Sequence, residues 1–226
     1  MMIKAAIFDF NGTLFWDTHY HAKAFDILID RYLDNPECRS RKVSDEDKLK
    51  NIMGKQNDAI MPYIFGELTK AQINQLGYEK EAIYRELCKG KVELAPGIYE
   101  LFDFLKKQNI LFTIATSGEK ENIDFYYEET PLNQWIPKDL VVYNDGTIAH
   151  GKPAPDIFIK AMNKLNASPE ETLIFEDSNS GILAAERSGA KVIVVTPNVG
   201  AYNGPHLAID NFIQAIPQIN KGNDIL

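Results

Sequence analysis

Short, unbroken apolar runs that each end at a polar residue constrain the fold of this chain more than any other feature. They occupy residues 5–8, 110–115, 140–143, 173–175 and 192–195. Runs without polar alternation are typical of strands buried on both faces. Amphipathic helical patterns at residues 98–105, 158–165 and 182–189 lie between several of them. The alternation predicts an α/β fold with a doubly wound, Rossmann-like parallel sheet. After the third run, the Asn144-Asp145-Gly146 turn and residues 147–148 predict a small hairpin.

Residues 16–93 differ from the rest, because their apolar positions recur at helical spacing and no convincing strand pattern interrupts them. Short helical patterns are found at residues 18–33, 45–53, 58–65, 70–76 and 79–89. Since this region follows the first strand directly, we expect a helical cap domain of residues 16–93. It would be inserted into a core domain formed by residues 1–15 and 94–226.

The acidic balance of the chain argues against several classes of partner. The net charge is -8 and the pI is near 5.1, whereas a nucleic-acid surface needs concentrated positive charge. No apolar segment approaches the roughly 18 residues of a membrane span, and Cys38 and Cys88 lack metal-ligand spacing. The N-terminus runs directly into a strand rather than into a charged and apolar leader. We expect a cytoplasmic protein, taken as a monomer, whose partner is a small molecule and not a nucleic acid or a membrane.

Polar side chains follow the predicted strands at the edge where ligands of open parallel sheets bind. In chain order they are Asp9, Thr116, Glu176 and Asp177, and Lys152 starts the helix between two of these strands. Carboxylates gathered at one edge repel one another unless a cation binds, and hard oxygen ligands suit Mg²⁺ held together with a substrate phosphate. Thr116 and Lys152 would then bind the other phosphoryl oxygens. With its charge compensated, Asp9 could attack phosphorus and form an aspartyl-phosphate.

The same residues carry a family resemblance over nearly the whole chain. The segments are Asp9-Phe10-Asn11-Gly12-Thr13, Thr116, Gly151-Lys152-Pro153 and Glu176-Asp177-Ser178 with Gly181. In order and spacing they resemble the four motifs of the haloacid dehalogenase superfamily, and the position of the helical insert resembles its β-phosphoglucomutase branch. The resemblance implies a Mg²⁺-dependent phosphatase that acts on a small phosphorylated metabolite, such as a sugar phosphate.

The resemblance also implies a role for each motif residue. Asp9 would be the nucleophile. The residues that would hold the phosphate are Thr116, Ser117 and Lys152. The residues that would surround Mg²⁺ are Asp9, Asp177, Asn11 through its backbone carbonyl, and Glu176 beside the metal or its waters.

Asn11 departs from the pattern that the resemblance implies. Family phosphatases and mutases usually carry a second Asp here, which protonates the leaving oxygen and activates water. An amide does neither, and losing general acid-base catalysis typically costs about 10²–10⁴ in rate. Three explanations stay open: a slow or substrate-sensing protein, a substrate such as an acyl phosphate whose leaving group needs no proton, or replacement of the acid by His19 or His21. Asn11-Gly12 is also prone to deamidation, which would regenerate an Asp.

The cap is expected to determine specificity, because a helical lid excludes water from the crevice. Its informative segment, Met53-Gly54-Lys55-Gln56-Asn57-Asp58, resembles the cap loop that reaches toward substrate in this branch. Where phosphoglucomutases have an arginine that grips the non-reacting phosphate, this chain has Asn57 with Lys55 nearby. Lys80 and His21 match a second basic cap residue and a histidine of the branch. The alternatives are that Lys80 is a solvated surface lysine and that His21 packs at the cap hinge.

Other functions share parts of this pattern. A phosphosugar mutase of the β-phosphoglucomutase type would use the same motifs, and a catalytically impaired protein would bind a phosphorylated metabolite without turning it over. A phospho-acceptor receiver gathers similar residues but needs only about half this length and no helical insert. A haloacid dehalogenase needs no Mg²⁺, so the Glu176-Asp177 pair argues against it. The sequence therefore favours the phosphatase.

Overall fold

The computed structural model describes residues 2–36, 38–52, 57–197 and 199–221. The chain divides into two compact units, one made of Met1–Trp16 with Val92–Leu226 and the other of Asp17–Lys91. Within the described ranges, no helix is both long and apolar enough to cross a membrane.

The first unit is built on a parallel sheet. Its strands within the described residues are β1 (Ala5–Phe8), β2 (Leu111–Ile114), β3 (Thr172–Glu176), β4 (Lys191–Val195) and β5 (Leu207–Ile209). They lie side by side in the order β2-β1-β3-β4-β5, and every neighbouring pair is parallel. This order, with β1 in the interior and crossovers to both sides, confirms the predicted doubly wound α/β fold.

Helices cover both faces of this sheet. They are α5 (Ile98–Lys107), α6 (Lys120–Glu129), α7 (Asp156–Leu165), α8 (Asn179–Arg187) and α9 (Ile216–Lys221). On one face Phe8 of β1 stacks on Phe175 at 4.6 Å between ring centroids and meets Phe102 of α5 edge-on at 5.3 Å. On the opposite face Ile7 is buried in a cluster with Phe158 of α7. Because successive strand residues point to opposite faces, a strand covered in this way must be apolar throughout.

Two sequence expectations about strands are wrong. Residues 140–143 do not form a regular strand, since a 3-10 helix covers Lys138–Leu140 and Val142 makes only an isolated bridge to Ala115. Val141 and Val142 are nevertheless buried, so their apolar character reflects core packing and not strand pairing. The hairpin after them is absent from the described residues, because the Asp145 carboxylate accepts hydrogen bonds from the Thr147 amide at 3.0 Å and hydroxyl at 2.6 Å and closes a local turn instead.

Strand β5 escaped sequence analysis because it is short and lies at the edge of the sheet. Of its three residues, only Ile209 is fully buried. A run of this length carries too little apolar pattern to stand out from a loop.

The second unit is helical. Its helices are α1 (Thr18–Tyr32), α2 (Asp45–Asn51), α3 (Asn57–Phe65) and α4 (Lys70–Cys88). The two helices expected at residues 70–76 and 79–89 are one continuous helix, which begins with a capping box between Thr69 and Gln72. Gly77, between the two predicted segments, lies inside this helix against the side chain of Asn57. A Cβ at Gly77 would lie 2.6 Å from Asn57 Nδ2, so the glycine permits close packing of α3 on α4.

Candidate active site

The strand register places the candidate nucleophile at the carboxyl edge of the sheet. Phe8, the last residue of β1, is level with Ile114 of β2 and Phe175 of β3. Asp9 follows directly, and its backbone amide donates to the carbonyl of Phe175 at 3.0 Å. Residues that follow β2 and β3 therefore lie beside Asp9, at the edge where ligands of open α/β sheets bind.

A cluster of carboxylates forms at this edge. Asp9, Glu176 and Asp177 each offer an oxygen atom, and these atoms lie within 4.8 Å of one another. Burial, reinforced by the charges of Glu176 and Asp9, raises the pKa of the Asp177 carboxyl well above its ordinary value, although a hydrogen bond from the Thr13 hydroxyl at 2.9 Å opposes this shift. Closely spaced carboxylate oxygens with such mutual repulsion form the kind of hard donor set that binds Mg²⁺.

Two glycines make room for these carboxylates. Gly12 has a φ of 80°, a conformation that a side chain disfavours. A Cβ on Gly12 would overlap the Asp177 carboxylate, and a Cβ on Gly181 would overlap the carboxylate of Glu176. The glycines of the first and fourth sequence motifs are therefore required by the close approach of backbone to acid.

Lys152 inserts its ammonium among the acids. Its Nζ donates to Asp9 Oδ1 at 2.6 Å and also to Glu176 Oε1. Burial alone would lower the pKa of Lys152, but the charges of Asp9 and Glu176 outweigh it and raise this pKa above its ordinary value. A fully charged lysine therefore lies against the proposed nucleophile and balances part of the negative charge.

Glu176 is fixed by its neighbours at the start of α8. Its Oε2 accepts hydrogen bonds from the backbone amides of Asp177 at 2.7 Å and Ser178 at 2.8 Å, and from the Ser178 hydroxyl at 3.1 Å. The same hydroxyl accepts from the Gly181 amide at 3.1 Å and so caps α8. Ser178 thus connects the helix N-terminus to the carboxylate of Glu176.

The loop after β2 contributes hydroxyl groups. Thr116 is buried, and its Oγ1 accepts a hydrogen bond from the Gly118 amide at 3.1 Å, whereas Ser117 is exposed. A Cβ built on Gly118 would lie 3.4 Å from Thr116 Oγ1 and 3.9 Å from Asn11 Oδ1. The side chain of Asn11 therefore lies close to the loop that carries Thr116.

The side chain of Asn11 has a partner that sequence analysis missed. Asn11 Nδ2 donates to the hydroxyl of Tyr126 at 2.6 Å. Tyr126 lies on α6, and its ring stacks on Phe10 with 3.8 Å between centroids. The i, i+3 spacing of Ile123 and Tyr126 indicates an inward-facing side of this helix. The sequence does not indicate which residue Tyr126 contacts, because Tyr126 and Asn11 are 115 positions apart.

His21 and Lys80 come together inside the helical unit. Lys80 is only 3% exposed, with its Nζ 3.0 Å from His21 Nδ1 and 2.5 Å from Glu81 Oε1. Because an ammonium only donates, His21 Nδ1 accepts, and the Nε2 of the ring faces Asp17 Oδ2 at 3.4 Å. The His21 ring stacks on Tyr84, whose hydroxyl donates to Asp17 at 2.5 Å. Lys80 therefore does not belong to a solvated helix face.

The remaining cap residues named from the sequence divide into two groups. Asn57 is the first residue of α3 and lies against Gly77 of α4. Gly54 and Lys55 lie outside the described residues. His19, the other histidine considered as a substitute acid, is exposed on α1, with its ring 4.0 Å from that of Tyr20.

Comparison with known proteins agrees with this geometry. The sequence matches the family of haloacid dehalogenase-like hydrolases over residues 6–195. Protein CbbY of Rhodobacter capsulatus is 30% identical over 204 residues, which cover 88% of this chain and 87% of that protein. The phosphorylated carbohydrates phosphatase of Thermotoga maritima is 27% identical, with 84% of each chain covered.

Further relatives locate the branch. The β-phosphoglucomutase of Bacillus subtilis is 29% identical over 215 residues, which cover 88% of this chain and 87% of that enzyme. The solved structure of a HAD hydrolase, family IA, variant 3, from Entamoeba histolytica superposes with a TM-score of 0.85 and 33% identity, and covers 97% of this chain and 100% of that one. The chain therefore belongs to the haloacid dehalogenase superfamily, in its β-phosphoglucomutase-like branch.

Proposed function

We propose that this protein is a Mg²⁺-dependent phosphatase that hydrolyses a small phosphorylated metabolite, such as a sugar phosphate, with Asp9 as the nucleophile. The observation that carries the proposal is the position of Asp9, at the carboxyl edge of the sheet and in the same cluster as Glu176, Asp177 and the Lys152 ammonium. Relatives named as phosphatases support the reaction type. The metal-ligand donor set and the buried Lys152 ammonium, which contacts Asp9 and Glu176, suit phosphoryl transfer, because that reaction depends on positioning and charge stabilisation.

The donor set for the metal consists of Asp9, Asp177 and the backbone carbonyl of Asn11, with Glu176 beside it. Its oxygen atoms are hard ligands, and the raised pKa of Asp177 reflects the repulsion that a cation would relieve. When bound, Mg²⁺ supplies positive charge that offsets the charge of the phosphate and of these carboxylates. The presence of Asn instead of Asp at position 11 leaves this donor set unchanged, because residue 11 contributes its backbone carbonyl.

The reaction proceeds in two displacements at phosphorus. In the first, a carboxylate oxygen of Asp9 forms a bond to phosphorus while the bond to the leaving-group oxygen breaks. Lys152 and the Thr116 hydroxyl bind phosphoryl oxygens and hold the phosphate in line for attack. In the second, water attacks the aspartyl-phosphate, and Asp9 and inorganic phosphate are released.

Asn11 determines which leaving groups are accepted. A sugar alkoxide must be protonated as it departs, and the amide of Asn11 has no acidic proton to give. This loss costs about 10²–10⁴ in rate for such esters, whereas an acyl phosphate releases a stable carboxylate without that proton. We therefore propose slow turnover of sugar phosphates and faster turnover of acyl phosphates.

A second function is favoured by Asn11 itself. An amide at the acid-base position suits a protein that binds a phosphorylated metabolite and does not turn it over. Such a protein would keep the metal site and the contacts to phosphate, and it would lose only the proton transfer. A phosphosugar mutase, suggested by the B. subtilis relative, would in addition need the acid to return phosphate to a sugar hydroxyl, and Asn11 disfavours it.

The helical unit carries the substrate specificity in this proposal. Lys80 and His21 would contact the part of the substrate that does not react, together with Asn57 and the segment of Gly54 and Lys55. This assignment rests on the resemblance of these cap positions to those of the branch, because Lys80 is already paired with Glu81 Oε1 at 2.5 Å within the helical unit.

Release of inorganic phosphate tests these functions directly. Purified protein is incubated with sugar phosphates, nucleotides, pyrophosphate and acetyl phosphate, in Mg²⁺ and in EDTA. Mg²⁺-dependent release that is abolished in Asp9→Asn is expected. Tight binding of a sugar phosphate by calorimetry, without release, would identify the binding protein. An Asp9→Asn variant that stays fully active would refute the mechanism.

A further inference from the structure

Tyr126 presents a buried phenol to the site. The residue is 0% exposed, on helix α6, and its ring lies nearly parallel to that of Phe10, with 13° between the planes. Phe10 follows the proposed nucleophile directly and precedes Asn11. The stacking therefore holds the Tyr126 ring against the same turn of backbone that carries Asp9 and Asn11.

The hydrogen bond between Asn11 and Tyr126 has a fixed direction. The amide nitrogen Nδ2 can only donate, so the phenol oxygen accepts at 2.6 Å. Because Nδ2 and Oδ1 are attached to one planar group, this bond also sets the direction of the amide oxygen. Oδ1 lies on the side of the loop after β2, 3.9 Å from the position that a Cβ of Gly118 would take. The same loop presents the Thr116 hydroxyl.

We propose that Tyr126 is a positioning residue, which turns the amide of Asn11 so that Oδ1 faces the loop after β2 and accepts a hydrogen bond from the attacking water. The inference rests on the proposed phosphatase function and concerns its second displacement. The amide oxygen orients water without removing its proton. As the bond from water to phosphorus forms, the bond from phosphorus to Asp9 breaks, and the proton passes to an oxygen of the departing phosphate.

This role explains how the site works with an amide in place of an acid. Water attacking phosphorus needs its lone pair aligned with the bond that breaks, and an oriented acceptor supplies this alignment. An unrestrained amide would present oxygen and nitrogen in turn. A phenol oxygen that accepts from Nδ2 disfavours the orientation in which Nδ2 would face the water. The Tyr126 hydroxyl must stay buried and in place for this.

Tyr126→Phe tests the proposal, because it removes one oxygen atom and keeps the ring that stacks on Phe10. Acetyl phosphate is the substrate, since its good leaving group leaves hydrolysis of the aspartyl-phosphate as the slow step. We expect kcat to fall about threefold to tenfold, KM to fall with it, and the steady-state fraction of phosphorylated protein to rise. Mass spectrometry of acid-quenched samples measures that fraction.

Two controls separate positioning from stability. Tyr127→Phe, on the same helix, removes a hydroxyl that donates to the Ile136 carbonyl at 2.9 Å, and its kcat and phosphorylated fraction should match the parent. In an Asn11→Ala background, Tyr126→Phe should change neither quantity, because no amide remains to be oriented. If Tyr126→Phe lowers kcat equally in the parent and in the Asn11→Ala background, the proposal is overturned. An unchanged phosphorylated fraction in Tyr126→Phe would also overturn it.

A second readout does not depend on turnover. The ¹⁵N side-chain amide resonance of Asn11, assigned with Asn11→Ala, should shift in Tyr126→Phe and stay in place in Tyr127→Phe. If the parent protein never becomes phosphorylated, the phosphatase function fails and the catalytic role of Tyr126 fails with it. An unmoved amide resonance overturns the positioning itself, whatever the activity.

Discussion

Lys152 hydrogen-bonds the carboxylate of Asp9 at 2.6 Å, so the proposed phosphate-binding cation and the proposed nucleophile form a buried ion pair. Lys152 also contacts Glu176, and the side chains of Lys152 and Glu176 are 8% and 1% exposed. A cation in this position should stabilise both the fold and the proposed reaction through the same charges. The two contributions can be separated experimentally.

Lys152→Met should lower both the stability of the fold and the rate of the reaction. Removing one partner of a buried ion pair typically costs about 3–5 kcal/mol, because Asp9 and Glu176 are left without compensation. Activity should fall by about 10²–10³, the usual effect of losing one group that stabilises developing charge. Denaturant unfolding and phosphate release measure the two losses.

The matched control is Lys164→Met, which changes an exposed lysine of α7 and should leave both quantities near those of the parent. Mg²⁺ should recover part of the stability of Lys152→Met, because it compensates the same carboxylates, and none of the phosphate binding that Lys152 supplies. Full activity in Lys152→Met would exclude it from the site.

Asp177 should give the protein a stability that depends on metal and changes with pH in a defined direction. Because the pKa of Asp177 is raised in the folded state, its ionised form is disfavoured there, and its contribution to stability is lost as pH rises from its unfolded pKa through the raised value. At pH 7 without metal, Asp177→Asn should therefore have a higher melting temperature than the parent. Thermal unfolding in EDTA measures the difference in melting temperature. The control is Asp139→Asn, which changes an exposed residue.

Adding Mg²⁺ should reverse that order. The parent should gain stability with the logarithm of metal concentration once this exceeds the Kd, whereas Asp177→Asn should gain little, because the stabilisation comes from metal binding to the folded state. In EDTA, the gap between the two proteins should close as pH falls toward 4. A lower melting temperature of Asp177→Asn in EDTA at pH 7 would mean that its hydrogen bond from Thr13 outweighs the repulsion.

The position of Asp9 followed from the sequence because β1 is buried on both faces, so the polar residue that ends it must lie at the edge of the sheet. The same rule failed at Val142, which is apolar because it is buried, although it makes only an isolated bridge to Ala115, the residue after β2. The partner of Asn11 could not be predicted, since Tyr126 reaches it through the packing of α6 and not through any local pattern. Apolar periodicity predicts which element is buried, whereas side-chain contacts between distant elements depend on how those elements pack.

Gly181 offers a test in which helix propensity and site geometry oppose each other. Ala within a helix is favoured over Gly by about 1 kcal/mol, and Gly181 is inside α8. A Cβ there would overlap the Glu176 carboxylate, so Gly181→Ala should displace Glu176 and lower both activity and Mg²⁺ affinity. Asn179→Ala, an exposed position in the first turn of the same helix, is the control for the helix itself. A more stable and equally active Gly181→Ala would show that Glu176 has room to move.

The folded protein should protect Asn11 from deamidation. The reaction needs the Gly12 nitrogen to attack the side-chain carbonyl of Asn11, and that nitrogen donates a hydrogen bond to the Phe15 carbonyl at 2.7 Å. The Asn11 amide is held by Tyr126 in addition. Peptide mass spectrometry after incubation at pH 8 should therefore detect the acid at position 11 in unfolded protein and not in folded protein. Equal rates in the two states would show that neither contact restrains the reaction.

Asn11→Asp should restore the proton transfer that the amide cannot perform. A carboxylic acid at this position can protonate a departing sugar alkoxide, and the Tyr126 hydroxyl can donate to its carboxylate form just as it accepts from the amide. Turnover of sugar phosphates should rise about 10²-fold or more, whereas acetyl phosphate should gain less, because only its second displacement, the attack of water, uses the acid-base group. Asn163→Asp, at an exposed position of α7, controls for added charge. Equal gains on both substrates would point to improved positioning of water, and no gain on either would show that proton transfer at residue 11 does not limit this enzyme.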